Sequence, residues 1–243
     1  KIKYFGQTHD YDHKVKLLDL IPEDSKKIFL CAKVNNRLRE LTYDVHYDAE
    51  VEFLDILDEE AMHIYENSLR YIIAMALYEI DSSLQLKFSY YESRSIYGLI
   101  LNKDFVWSQE KLDKLKNKID EIIKADYPFI RKIVSNEEAD DIYRLFNMPD
   151  KIDLLKYRPE KTVHFTVCNG YHNYMYGYMA PSTGYITNYK LQLYQNGFII
   201  QYPRCELKGQ IPDFEPSPKF GKTLDASYDW ASMVKTDTVT KIN

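Results

Sequence analysis

Apolar side chains recur every three or four positions along several stretches of this chain, a spacing typical of amphipathic helices. The longest such stretch follows Asp58, a residue suited to capping a helix. A second helix is predicted from Ser108 until Pro128 stops it. Ser135, with a glutamate three residues later, forms a capping-box pattern that opens a third helix. The same spacing predicts a last helix, capped by Thr223, near the C-terminal end.

Residues 1–57 instead contain short apolar runs of strand length. The clearest runs are Ile28 to Val34, Leu38 to Tyr43 and Val51 to Ile56. Asn35-Asn36 stands between the first two runs and predicts a tight turn. We therefore predict a small β-rich unit at this end of the chain, followed by the long helix.

A second set of predicted strands lies in the C-terminal half. Val163 to Val167 alternate apolar and polar residues, as a half-buried strand does, before a break at Asn169-Gly170. Leu191 to Tyr194 and Phe198 to Tyr202 are two further apolar runs, and Asn196-Gly197 between them predicts a hairpin turn.

Cys168 and His172 stand at a C-x-x-x-H spacing around the break in the first of these strands. Both residue types bind metal ions, but three cysteines and six histidines produce this spacing by chance in roughly 7% of such chains. His164 does not complete a metal site, because four strand residues separate it from Cys168 by about 13 Å. The pair alone indicates a place for chemistry without specifying which chemistry.

The charge distribution gives two opposing indications. The net charge of -5 opposes general nucleic-acid binding, which needs a basic surface. Residues 161–205 nevertheless contain no Asp or Glu, where the average composition of the chain predicts about seven. This absence has two interpretations. Either strands disfavour acidic residues, or the surface is kept free of acids for an anionic ligand.

Three cysteines in 243 residues favour a reducing compartment over a disulfide framework. The longest apolar run, Tyr71 to Tyr78, is too short to span a bilayer. We therefore expect a cytoplasmic protein without a membrane partner. Because the chain begins at Lys1 rather than at a methionine, we also expect it to be a fragment of a longer protein.

Several motifs resemble a known family. Cys168-Asn-Gly-Tyr-His172, Pro181-Ser-Thr-Gly184 and Lys190-Leu191 resemble part of the second additional domain of threonyl-tRNA synthetase, which edits mischarged tRNA. The segment from Tyr127 to Ser135 also resembles that domain. Ala32 to Leu41 resembles the core hairpin of the TGS domain, a β-grasp fold found in the same synthetases.

The tyrosine-rich run Tyr174 to Met179 is closer to the N-terminal region of bacterial uridine-kinase-like proteins of the phosphoribulokinase/uridine kinase family. Together these resemblances imply a TGS-like β-grasp unit at residues 1–57 and a threonyl/alanyl-tRNA synthetase editing-domain-like α+β unit at residues 58–235. Residues 236–243 are then a linker toward a C-terminal P-loop kinase domain, absent here, which would be the partner in the same polypeptide. ATP and Mg are expected only with that kinase domain, and no cofactor is expected in this fragment.

The resemblance also implies a site in which the Cys/His pair faces the long helix across a cleft. Asn67 and Tyr71 occupy the two helix positions where the family has histidines, and neither is a usual zinc ligand. Lys151 stands where the family has a functional lysine, and Thr166 replaces an acidic residue. We therefore expect no bound zinc.

Tyr171, Tyr174 and Tyr176 are candidate ligand contacts, because tyrosine rings stack on nucleobases. The alternative is that these rings pack in the core with their hydroxyls at the surface. The leading interpretation is a non-catalytic module that senses RNA or a nucleotide for a uridine or other nucleoside kinase. Two alternatives stay open, an editing-type deacylase of aminoacyl-tRNA and an interaction scaffold for the kinase domain.

Overall fold

The computed structural model describes residues 1–234 and residue 236. The strands of this part of the chain are β1 (Ile2–Tyr4), β2 (Gln7–His9), β3 (Val15–Lys16), β4 (Phe29–Val34), β5 (Arg37–Glu40), β6 (Asp44–Val45), β7 (Ala49–Asp55), β8 (Leu86–Glu92), β9 (Ser95–Ile100), β10 (Ile130–Ser135), β11 (Thr162–Cys168), β12 (Tyr171–Asn173), β13 (Lys190–Tyr194) and β14 (Gly197–Gln201). Its α-helices are α1 (Glu59–Ile80), α2 (Gln109–Ala125), α3 (Asn136–Leu145), α4 (Pro149–Leu155) and α5 (Pro218–Met233).

This mixed α+β architecture with several sheets confirms the fold class predicted from the sequence. The finer assignment to a TGS-like unit at residues 1–57 and an editing-domain-like unit at residues 58–235 stays a prediction. The predicted linker at residues 236–243 lies outside the described residues, apart from Thr236.

A five-stranded sheet in the order β2-β1-β7-β4-β5 dominates the first 57 residues. β1 runs parallel to β7, and the other neighbouring strands are antiparallel. Asn35 and Asn36, with φ of 48° and 61°, form the predicted turn between β4 and β5. The β1–β2 hairpin turns at Phe5-Gly6 and was not predicted, because a phenylalanine with a positive φ is not a usual turn residue.

Helix α1 connects this sheet to the rest of the molecule. The Asp58 carboxylate accepts a hydrogen bond from the Glu60 N–H (2.9 Å), which confirms the predicted cap. The helix contacts β4 and β7 on one side and α2 on another. Leu69, Ile72 and Met75 are fully buried between these elements, and the burial of each such side chain stabilises the fold by about 1.5–3 kcal/mol. The side chains of α1 are therefore held in fixed positions.

The predicted hairpin β13–β14 is part of a four-stranded sheet in the order β13-β14-β9-β8. Its turn lies at Gln195-Asn196, one residue before the predicted position, and Gln195 carries the positive φ of 49°. Gly197 lies within β14, where an added methyl group would overlap the Gly98 carbonyl of β9. The close approach of two strands, rather than the turn, therefore requires this glycine.

Local sequence signals identify the start of α3 correctly and the start of α5 wrongly. Ser135 caps α3 and accepts a hydrogen bond from the Glu138 N–H (3.2 Å), as predicted. The predicted cap at Thr223 is wrong, because α5 begins at Pro218 and the Thr223 hydroxyl donates to the Lys219 carbonyl within the helix. Proline is favoured in the first helical turn. The backbone N–H groups there have no intrahelical acceptor, so a residue without an N–H breaks no hydrogen bond. No helix in the described part of the chain is long and apolar enough to cross a membrane.

Candidate functional site

The Cys/His pair lies on neighbouring strands of the three-stranded sheet β10-β11-β12. A two-residue turn at Asn169-Gly170 joins β11 to β12, and the register pairs Cys168 with Tyr171 and Val167 with His172. Paired residues project from the same face of a sheet and successive residues alternate between faces. Cys168 and His172 therefore project from opposite faces. The expectation that they form one wall of a cleft does not hold for this pair.

His172 lies on the face of the sheet that also carries Phe165. The centroid of its ring is 5.5 Å from that of Phe146 and 6.4 Å from that of Phe165. Its Nδ1 lies 2.9 Å from the Gly170 carbonyl oxygen. Because a carbonyl oxygen only accepts, this hydrogen bond places a proton on Nδ1. Aromatic and backbone neighbours thus hold the imidazole in place, away from the thiol.

The opposite face of the sheet is closed by Tyr71 of α1. Its side chain is fully buried, and its hydroxyl donates to the carbonyl oxygens of Thr166 (2.9 Å) and Tyr171 (2.7 Å). Burial raises the pKa of Tyr71 far above its usual value, and the nearby Cys168 adds to this shift. The structure therefore brings four predicted site residues together, Tyr71, Thr166, Cys168 and Tyr171, and packs them as buried core.

Cys168 is buried beneath this helix, and burial, with a smaller contribution from Glu79, raises the pKa of its thiol to about 12. The thiolate is the reactive form of cysteine, both as nucleophile and as metal ligand. Near neutral pH the Cys168 thiol is therefore protonated. His172 lies on the other face of the sheet, and His164, on the same face, is about 13 Å away along the strand, too far to deprotonate the thiol. A thiol–imidazole nucleophile is not formed here.

We expect thiol reagents to distinguish the three cysteines at pH 8. Cys205 is partly exposed, whereas Cys31 and Cys168 are buried. Burial raises the pKa of Cys31 and of Cys168 to about 12, and burial together with Glu206 also raises the pKa of Cys205, so exposure is the main difference between them. A colorimetric disulfide reagent should therefore titrate one thiol quickly in the native protein and all three in denaturant. Cys205→Ser should remove the fast phase and leave the total lower by one thiol. Rapid modification that persists in this variant would contradict the assigned burial.

Tyr171, a predicted ligand contact, belongs to the core. Only 7% of its surface is exposed, and its ring lies 5.5 Å from that of Tyr71 and 5.3 Å from those of Tyr78 and Phe146. Burial raises its pKa, so its hydroxyl stays protonated. A ring packed in this way offers no face on which a ligand can stack.

Tyr174 and Tyr176 instead lie in a segment that crosses the surface, residues 174–178, here called the tyrosine strap. The Tyr176 side chain is 94% exposed. Its neighbours are held by cations, since the Lys151 ammonium lies 5.4 Å from the centroid of the Tyr174 ring and the Arg131 guanidinium 5.4 Å from that of Tyr178. Such cation–π contacts orient the flanking rings and place positive charge beside the exposed one.

Asn67 of α1, at a position where the resemblance places a histidine, also supports the strap. Gly177 packs against the Asn67 amide so closely that a methyl group at this position would overlap it. Asn67 and Lys151, two predicted site residues, therefore contact the strap rather than the Cys/His pair.

Sequence reasoning missed Arg131 and Tyr178. The alternation of tyrosines through the strap is the signal that identifies Tyr178, whereas the position of Arg131 depends on the tertiary fold.

A small cavity lies behind the strap, with a volume of about 20 Å³. Thr166 contributes to its lining, together with Glu40, Thr42, Phe129, Arg131, Met179 and Ala180. A cavity of this size holds about one water molecule. It is too small to admit an aminoacyl ester, so the surface of the strap, rather than an enclosed pocket, is the accessible part of this site.

Three cations and one carboxylate have contacts at or next to the strap. Arg131 and Lys151 cover two of its rings, and Arg39 of the first unit interacts with Tyr178. Glu40 is a carboxylate in contact with Arg131, at 3.1 Å. Within the described residues no group of three metal-binding side chains is close enough to hold a metal ion. The absence of bound zinc stays a prediction.

Sequence comparison relates the chain to threonine–tRNA ligases. It is 26% identical over 194 residues to the threonine–tRNA ligase of Wolbachia sp. subsp. Drosophila simulans (strain wRi), 27% over 191 residues to that of Syntrophomonas wolfei and 27% over 198 residues to that of Thermotoga petrophila. These alignments cover 74–76% of this chain, which spans only 29% of the length of each ligase. No protein-family model matches the chain.

This similarity supports the resemblance to threonyl-tRNA synthetase that the motifs indicate. It gives no support to a uridine-kinase-like parent or to a kinase domain as the partner. The expectation that ATP and Mg bind only with a kinase domain, and that this fragment binds no cofactor, stays a prediction.

Proposed function

We propose that this chain is a tRNA-binding module in which the tyrosine strap contacts unpaired bases of the RNA. The observation that carries the proposal is the 94% exposure of Tyr176 between two tyrosines that cations hold in place. Single apolar side chains are common on protein surfaces, so the support comes from the combination of this exposed ring with the two flanking tyrosines and their cations. The ligases similar to this chain act on tRNA by name, which specifies the class of RNA.

The chemistry around the strap suits a single-stranded nucleic acid. Every base has a π-face, so aromatic stacking tolerates any sequence, and nearby cations neutralise the phosphates. Arg39, Arg131 and Lys151 provide these charges, and residues 161–205 contain no acidic side chain to oppose them. Because the chain as a whole carries a net charge of -5, we expect this attraction for RNA only near the strap, where these three cations lie. An anionic ligand is one of the two interpretations of the acid-free composition, beside the low frequency of acidic residues in strands, and it is the one consistent with this proposal.

Tyr176→Ala should weaken tRNA binding roughly 5- to 150-fold, because stacking on an aromatic ring is worth about 1–3 kcal/mol per base. Fluorescence anisotropy with labelled tRNA and with an unpaired RNA oligonucleotide would measure this change. With three cations in the site, the logarithm of the affinity should fall with the logarithm of salt concentration at a slope of about -2.

Tyr157→Ala is the matched control, because this tyrosine is also exposed (59%) but lies outside the strap. Its affinity for RNA should equal that of the unmodified chain. Equal loss in both variants, or no loss in Tyr176→Ala, would contradict a role for the strap. If the unmodified chain binds no RNA, the interaction-scaffold alternative takes the place of this proposal.

Hydrolysis of aminoacyl-tRNA is the second candidate function, favoured by the resemblance to an editing domain. The packing of Tyr71 and the protonated Cys168 thiol speak against it, since the predicted site residues form no thiol–imidazole pair. We therefore propose binding without hydrolysis. Cytoplasmic localisation stays a prediction.

A further inference from the structure

Glu40 connects the first sheet to the strap region. It is the last residue of β5, an edge strand, and its side chain is only 16% exposed. One of its oxygens, Oε1, accepts hydrogen bonds from the Met179 backbone N–H (3.0 Å) and from the Arg131 guanidinium (3.1 Å). Met179 directly follows the tyrosine strap, and Arg131 covers one of its rings.

We propose that Glu40 is a positioning residue that holds the tyrosine strap against the first sheet, so that the RNA-binding surface is built from both parts of the chain. This inference rests on the proposed function and specifies which contact holds the end of the strap next to Tyr178. It assigns a binding role to the β-rich N-terminal unit, which also contributes Arg39 as a neighbour of Tyr178 in the strap.

The strength of this contact follows from its chemistry. Hydrogen bonds to an ionised carboxylate are shorter and stronger than those between neutral groups. Met179 is nearly fully buried, so its N–H would lose its acceptor without gaining water if Glu40 were removed. Arg131 would at the same time lose the partner that fixes it over Tyr178. Both hydrogen bonds of Glu40 therefore act on the C-terminal end of the strap, one at the adjoining Met179 and one through Arg131 at Tyr178.

The first unit also continues the aromatic and cationic pattern of the strap. Arg39, the neighbour of Glu40, lies 5.0 Å from the centroid of the Tyr43 ring and interacts with Tyr178 as well. The Tyr43 hydroxyl is 3.3 Å from that of Tyr47, a half-exposed residue. An RNA strand stacked on the strap thus meets further rings and a further cation when it passes onto the first unit.

Glu40→Ala and Glu40→Gln separate this role from a general loss of stability. A glutamine oxygen can accept both hydrogen bonds, whereas alanine accepts neither. We expect Glu40→Ala to bind tRNA roughly tenfold more weakly, and Glu40→Gln to restore most of that loss. Hydrogen exchange at the Met179 amide should accelerate in Glu40→Ala and stay slow in Glu40→Gln. Glu50→Ala, which removes an exposed carboxylate paired with Lys3 in the same sheet, should change neither quantity.

The two measurements distinguish the inference from the function on which it rests. If the unmodified chain does not bind RNA, the proposed function fails, while exchange at Met179 still tests the contact. If hydrogen exchange at the Met179 amide is unchanged in Glu40→Ala, the contact itself is overturned. If this exchange becomes faster but the affinity for tRNA is unchanged, the role of the contact in RNA binding is overturned. Glu40→Gln as weak as Glu40→Ala overturns positioning through the acceptor oxygen. If Glu40→Ala does not fold, Glu40→Asp, whose shorter side chain withdraws the acceptor, replaces it in both measurements.

Discussion

Replacing Tyr71 by alanine is expected to lower the free energy of unfolding by about 3–5 kcal/mol, the usual cost of removing a buried aromatic ring. The Tyr71 ring is fully buried and lies 5.3 Å from that of Phe129 and 5.5 Å from that of Tyr171. Its removal leaves a cavity between α1 and the β11–β12 hairpin. Denaturant unfolding followed by circular dichroism at pH 7 would measure the change.

Tyr71→Phe separates the hydroxyl from the ring. This variant keeps the packing but leaves the Thr166 and Tyr171 carbonyls without their shared donor, which should cost about 1–3 kcal/mol. Tyr157→Phe, at an exposed position, should stay within about 0.5 kcal/mol of the unmodified chain. If Tyr71→Phe leaves the free energy of unfolding unchanged, the hydrogen bonds of the Tyr71 hydroxyl do not help to hold α1 against the sheet.

The same hydroxyl predicts a dependence of stability on pH. Burial raises the pKa of Tyr71 above the usual value of about 10, so the folded state favours the protonated form. Its contribution to stability is therefore complete below about pH 10 and is lost as the pH rises toward the folded-state pKa. Tyr71→Phe should lose less stability above pH 10 than the unmodified chain does, and parallel pH profiles would contradict this.

The chain is expected to leave seryl-tRNA and other aminoacyl-tRNAs intact. A positioned general base typically contributes 10²–10⁴-fold to rate, and the positions where the resemblance places two histidines hold Asn67 and Tyr71. Neither residue accepts a proton near neutral pH. The Cys168 thiol, with a pKa raised to about 12, and His172, on the other face of the sheet, do not compensate for this loss. Deacylation should therefore proceed at the rate of the uncatalysed reaction.

A deacylation assay on the unmodified chain beside Cys168→Ala and His172→Ala decides this point. All three proteins should match the rate without protein. Turnover well above that rate which disappears in both variants would establish a working hydrolase and would contradict binding without hydrolysis. Because the tRNA-binding measurement is independent of this assay, a chain that binds and does not hydrolyse remains distinguishable from one that does neither.

Some of the candidate site could have been worked out further from local sequence. The turn at Asn169-Gly170 is visible in the sequence, and a two-residue turn pairs Cys168 with Tyr171. This register alone places His172 on the other face of the sheet, because side chains alternate along a strand. The C-x-x-x-H spacing concealed this, since it counts residues along the chain and takes no account of the face on which each lies.

The sequence by itself determined the elements whose signals are local. The Asp58 cap and apolar spacing of α1, the Asn35-Asn36 turn and the alternation in β11 each depend on residues a few positions apart. The tertiary structure alone decided the contacts that give the site its character. Tyr71 meets carbonyls 95 and 100 residues away, and Glu40 meets Met179 across 139 residues. Such partners are set by how helix α1 and three sheets pack together, and no periodicity or spacing along the chain carries that information.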